Sequence, residues 1–241
     1  MSSDEGGIPF FAPFNSTPQS GTVAPRTTQK GPLFMASNDF QLRAYVFLDS
    51  LQPQLAQYMA KTNKVYDPKE YDSALFVEIA PAMEIHVKID QALKATNVRL
   101  GSMVTERVFG MMQVHHSDQG EVHAAGQAVL DASNLKESDR ADCEILQNKI
   151  IRSVEGDHAI AFTGLAWGQM ALAGDSVLIM EAKPAAYLSI ACNEALKAAD
   201  VRLIDIRVFG ASGRLIMAGS ESEIDSAAEA ATAALKQLNE S

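Results

Sequence analysis

Residues 72–100 read DSALFVEIAPAMEIHVKIDQALKATNVRL, and residues 175–203 read DSVLIMEAKPAAYLSIACNEALKAADVRL. The second stretch begins 103 residues after the first. Glu78 falls on Glu181, Pro81 on Pro184, Ala92 to Ala95 on Ala195 to Ala198, and Val98 to Leu100 on Val201 to Leu203. A repeat of roughly 100 residues is domain-sized and marks a duplication, not a solenoid of short units. Beyond Leu100 the text matches again as RVFG, Arg107 to Gly110 on Arg207 to Gly210, which predicts a three-residue insertion in the first copy. Duplicated domains pack as pseudo-symmetric neighbours, and a homo-oligomer extends such a pattern around a closed ring.

The same element order is expected in both copies. QLRAYVFLD, starting at Gln41, and ILQNKIIRSV, starting at Ile145, are apolar runs of strand length. Each precedes a helix: SLQPQLAQYMA, entered through Asp49 or Ser50, and the stretch DHAIAFTGLAWGQM. A strand follows (75–79 and 177–181), then a proline suited to a first helical turn. Ile85, Ile89, Ala92 and Thr96 align with Leu188, Cys192, Ala195 and Ala199 as one apolar stripe. Two strands around RVFG and an alanine-rich helix complete the unit. Each copy therefore reads β-α-β-α-β-β-α, an α+β domain with helices on a mainly antiparallel sheet. The expected division is an extension over 1–40, a first domain over 41–136 and a second over 137–241.

Composition narrows the function. A net charge of -10 argues against a nucleic-acid binder, which needs clustered Lys and Arg. Two cysteines, Cys143 and Cys192, in unlike contexts form no CxxC and suit a reducing cytosol. No apolar run approaches the roughly 20 residues of a membrane span, and no signal peptide is evident. Residues 1–40 hold five of the nine prolines and no periodicity, so a flexible extension is expected. Half of the ten phenylalanines lie there, which raises the alternative of a docking segment around IPFFAPF.

The duplicated unit of strand, Pro-initiated helix ending in ALKAxxVRL, RVFG hairpin and Ala-rich helix resembles the bacterial microcompartment shell domain in tandem. The β-α pair placed ahead of that helix resembles the family's circularly permuted form. LRAYVFLDSLQPQLAQYM, ALKATNVRLGSMVTERVFG and KPAAYLSIACNEALKAADVRLIDIRVFGASGRLIMAG are similar to the tandem-domain trimeric shell proteins of carboxysomes. The resemblance runs from Gln41 to Leu238. The leader resembles alpha-type carboxysome members, and HxSDQGEVxxAGxAVL the beta-type, so the subtype stays open.

The resemblance implies a homotrimer that mimics a hexagonal tile, stacks as a dimer of trimers and packs laterally beside hexameric shell proteins. It also implies a gated central pore passing phosphorylated metabolites such as ribulose bisphosphate and 3-phosphoglycerate, in a shell within the bacterial cytoplasm. The family's gate is an adjacent Glu-Arg pair before the pore hairpin, here Glu106-Arg107. Three copies of each charge around an axis can pair across chains or withdraw, and arginine's planar fork suits both carboxylate and phosphate. An ordinary solvated surface pair is the alternative.

The second copy offers Ile206-Arg207 at the RVFG match, so only one domain is expected to supply the acid. Phe109, Gly110, Phe209 and Gly210 are expected to turn the hairpins beside the pore, with core packing of both rings as the alternative. His115, His116 and His123 lack a carboxylate or thiolate at metal-ligand spacing, and neither hairpin carries cysteine, so no metal or other cofactor is expected. Cys192 falls on the buried stripe. GASGR lacks the lysine of a P-loop, and no nucleophile, base and orienter can be assembled into an enzyme site. The competing reading is a duplicated α/β protein that binds a small regulatory molecule between its domains.

Overall fold

The computed structural model describes residues 40–63, 65–164 and 167–240. The IPFFAPF segment, residues 8–14, lies outside them. In chain order the first half runs β1 (Gln41–Leu48), α1 (Pro53–Thr62), β2 (Ser73–Ala80), α2 (Ile85–Ala95), β3 (Arg99–Glu106), β4 (Phe109–His116) and α3 (Gln119–Asp131). The second repeats it with β5 (Glu144–Ile151), α4 (Gly156–Gly164), β6 (Ser176–Lys183), α5 (Leu188–Ala198), β7 (Arg202–Arg207), β8 (Gly213–Gly219) and α6 (Glu221–Gln237). Each half forms a four-stranded antiparallel sheet, in the orders β1-β2-β4-β3 and β5-β6-β8-β7.

Side chains alternate across a strand, and that alternation builds two apolar layers. Leu75, Val77 and Ile79 pack against α2 and α3, while Ala74 and Phe76 face the opposite way, into a core shared with α1. Of the expected stripe, Ile85, Ile89 and Ala92 are buried, as are Leu188, Cys192 and Ala195 in the second half. The final helices are capped by their sequence. The Asp118 carboxylate accepts the Gly120 N–H at 2.8 Å, and Ser220 Oγ accepts that of Glu223 at 3.4 Å.

Three local expectations are corrected. Helix α1 is entered at Gln52 with Pro53 first, not through Asp49 or Ser50, because proline fixes the helical φ and needs no partner for an N–H. The second half completes that end: Asn193 Oδ1 accepts the Gln52 N–H at 2.9 Å, and Asn193 Nδ2 donates to the Ser50 carbonyl at 3.1 Å. Pro81 and Pro184 open a short 3-10 turn (Ala82–Glu84 and Ala185–Tyr187) ahead of α2 and α5. The helix predicted through DHAIAFTGLAWGQM ends at Gly164; Gly168 and Gln169 instead donate their N–H groups to the Ile204 and Leu203 carbonyls of β7.

The largest correction concerns register. Ile79 pairs with Gly110 and Ala182 with Gly213, so the offset of 103 continues unbroken through the hairpins. There is no insertion, and the RVFG match is a coincidence of text. Packing explains the true alignment. A Cβ on Gly110 would lie 2.3 Å from the Ala82 carbonyl oxygen, and one on Gly213 would lie 2.4 Å from that of Ala185. Both halves need glycine at the same place, where a 3-10 turn crosses the strand.

The halves meet through α1 and β1. Leu55, Ala56, Tyr58 and Met59 are buried in a core that extends into the second half. Gln54 brackets β7, donating from Nε2 to the Val201 carbonyl at 2.6 Å and accepting the Leu203 N–H at 2.8 Å. The Tyr58 hydroxyl donates to Asp205 at 2.6 Å.

Candidate functional site

The two hairpins end differently. The first pairs to its last residues, Glu106 with Phe109, and turns through Arg107 and Val108. Arg107 sits at φ 55°, the left-handed region that disfavours a Cβ. The second hairpin stops pairing at Arg207 and Arg214, leaving Val208–Ser212 as a wider loop. There Gly210 has φ 106° and occupies the position equivalent to Arg107. The first half thus carries arginine where the second has the residue that the backbone favours.

This changes the correspondence expected from sequence. The counterpart of Glu106-Arg107 is Phe209-Gly210, not Ile206-Arg207. Ile206 is 8% exposed and belongs to the core, three residues below the tip. Only the first half supplies an acid under either alignment. Phe109 and Gly110 do not form the turn. Gly110 is buried in β4, and the Phe109 ring lies beneath the Arg43 guanidinium, 3.7 Å from its carbon. Gly210 does lie in a turn, and Arg207 stands 5.3 Å from the centre of the Phe209 ring.

The tips of the two hairpins come together within one chain. A Cβ built on Gly210 would stand 3.4 and 3.5 Å from the Glu106 carboxylate oxygens. Arg107, by contrast, is exposed. Replacing Arg107 with Gly should stabilise the chain by about 1 kcal/mol, because it relieves a positive φ at a compatible residue. A rise in Tm of about 2–4 °C is expected in thermal denaturation of the full chain.

Below the tips, Glu78 joins the halves. Its side chain is wholly buried; Oε1 accepts from Arg43 Nε at 2.8 Å and Oε2 accepts the Ala186 N–H of the second half at 3.0 Å. Burial pushes its pKa above the usual carboxylate range, against the opposing pull of Arg43 and the Ala186 and Ala185 N–H groups. The repeat aligned Glu78 with Glu181 but gave no sign of this role. The two glutamates in fact differ, since Glu181 accepts from Ser212 Oγ in its own half. A cavity of about 790 Å³ also lies between the halves, lined in part by Tyr58, Val104, Gln113, Trp167, Asp205 and Arg214.

The three histidines serve separate local contacts. His115 is buried beside Gln113, and burial lowers its pKa. His116 Nδ1 accepts the Asp118 N–H at 2.9 Å, and His123 stacks on Phe47 with ring centres 3.8 Å apart. Both cysteines are free and buried, and Cys192 lies on the α5 stripe as expected.

Two family models match the chain: the CsoS1D N-terminal domain over residues 42–139 and the BMC domain over residues 176–241. The carboxysome shell protein CsoS1D of Hydrogenovibrio crunogenus is 51% identical over 82% of this chain and 97% of its own length. The chain belongs to the carboxysome shell proteins. The shell protein CcmP of Synechococcus elongatus is 41% identical over 83% of this chain and 93% of its own length. Among solved structures, the fused permuted hexameric shell protein MSM0275 of the RMM microcompartment superposes with a TM-score of 0.81 at 38% identity, covering 82% of this chain and 98% of that one. The double ringed trimeric shell protein MSM0271 gives 0.79 at 34% identity, covering 83% and 97%. These relatives establish a tandem permuted shell fold and a structural role in the carboxysome shell, within the bacterial cytoplasm; the family is not enzymatic.

Proposed function

We propose that three chains close into a flat ring of six domains, with the shell domains at 41–136 and 137–241 and the extension at 1–40. One observation carries this reading. The first half buries α1 and β1 against the second, yet the equivalent surfaces at the outer ends are bare. His158 and Ala161 of α4 are exposed where Leu55 and Tyr58 of α1 are buried. On the receiving side Met83 is 68% and Met103 37% exposed, where their counterparts Ala186 and Ile206 are buried by the first half. A second and third copy would cover these faces by repeating the contact already made within the chain.

Around that axis the Glu106-Arg107 tips alternate with the Phe209-Gly210 tips, and Arg207 lies beside them. Alternation makes the acid three-fold. Paired across chains, the charges close the hole; withdrawn, they open it to anionic, phosphorylated metabolites such as ribulose bisphosphate and 3-phosphoglycerate. The left-handed φ of Arg107 supports a turn with two accessible states. Two rings stacked face to face and lateral packing beside hexameric shell proteins complete the proposed tile. The cavity between the halves favours a second reading, a bound small-molecule regulator.

Replacing Glu106 and Arg107 together with Ala tests the gate. The expected result is an intact assembly of unchanged mass whose pores are all open when imaged by electron cryomicroscopy. A population of closed pores equal to that of the unsubstituted chain would sink the assignment.

A further inference from the structure

Arg43 stands where three parts of the molecule meet. It is the unpaired residue of a β-bulge between Leu42 and Ala44, a device that re-aims a side chain. Its carbonyl accepts from the Tyr187 hydroxyl at 3.3 Å and from the Ala141 N–H at 3.1 Å. Its guanidinium is held by Glu78, which in turn holds the Ala186 N–H of the second half. The carbon of that guanidinium lies over the Phe109 ring, 3.7 Å from its centre. Phe109 is the first residue of β4, directly across from Glu106 in the last pair of the hairpin.

The second half supplies an internal control. The same bulge occurs there, but Leu146 replaces Arg43 and Ser212 replaces Phe109. With leucine and serine in those two places, pairing ends at Arg207 with Arg214, the counterpart of Val104 with Met111. The first hairpin carries two further pairs, Thr105 with Gly110 and Glu106 with Phe109. We propose that Arg43 is a positioning residue for the Glu106-Arg107 tip: held by Glu78, it stacks on Phe109 and keeps the first hairpin paired to its end. A cation over an aromatic face is favourable when partly desolvated, and only arginine offers a plane to match the ring. The boundary between the halves is thereby tied to the tip. The consequence for pore opening rests on reading that tip as the gate.

Amide hydrogen exchange on the assembled full chain tests the clamp. Phe109→Leu keeps the Arg43 to Glu78 pair and removes the ring face. Exchange across residues 105–110 should then rise about tenfold, with residues 207–214 and strands β1 and β2 unchanged. Arg43→Lys, which keeps the charge and loses the plane, should behave alike, and Phe109→Tyr should retain full protection. Unchanged exchange at 105–110 in Phe109→Leu, equal loss in the Leu and Tyr variants, or a rise spread over both halves would overturn the proposal. Those results would leave the gate reading intact. The opposite pattern, a localised rise beside pores indifferent to Glu106 and Arg107, would sink the gate and keep the clamp.

Discussion

A chain carrying Met83→Asp and Met103→Asp is expected to leave the three-chain assembly and persist as a folded monomer. Both side chains are exposed in the single chain, so the substitutions cost its fold little. Their counterparts show what assembly asks of them. Ala186 is fully buried and Ile206 nearly so, against the α1 and β1 surface of the first half. In the ring, Met83 and Met103 would meet α4 and β5 of the next copy in the same way. A carboxylate buried there without a partner costs about 3 kcal/mol or more, which is over a hundredfold in association for each contact. Light scattering should report a mass near one chain instead of three or six, with an unchanged circular dichroism spectrum. An unchanged mass would mean that the ring uses other faces.

Glu78→Ala should strongly destabilise the chain itself. It removes the acceptor of the Arg43 guanidinium and of the Ala186 N–H at one stroke, at a site with no solvent to replace it. Breaking a buried pair costs about 3–5 kcal/mol, and the lower end applies because the Arg43 side chain keeps 18% of its surface exposed. For a chain of this size the expected fall in Tm is about 10 °C. Glu181→Ala provides the contrast. Glu181 is half-buried and accepts from Ser212 within its own half, so its loss should cost about 1 kcal/mol. Equal effects from the two would show that Glu78 does not join the halves.

Much of this was legible in the sequence, for identifiable reasons. The stripe of Ile85, Ile89 and Ala92 follows from helical period, and the duplication from the plain match of two 29-residue stretches. Hairpin register was not legible, because the RVFG match looked better than the true pairing of Gly110 with Gly213. What fixes that pairing is a carbonyl at Ala82 or Ala185 pressing on the strand, a tertiary contact that leaves only a glycine in the text. The cap on α1 was missed for a related reason. Its donor and acceptor come from Asn193, over 140 residues away, while Asp49 is turned toward Lys197. Glu106 enters the proposed gate through family resemblance alone, and no periodicity singles it out. Arg43 carried no sequence signal beyond one arginine in a largely apolar strand.

The measurement that bears most directly on the central claim is the structure of the assembled particle, read for what surrounds its axis. The expected particle has a three-fold axis ringed by Glu106-Arg107 tips alternating with Phe209-Gly210 tips, and α4 of each copy seated against the Met83 and Met103 face of the next. An assembly without a three-fold axis, or one whose axis is bounded by residues remote from both hairpin tips, would contradict it.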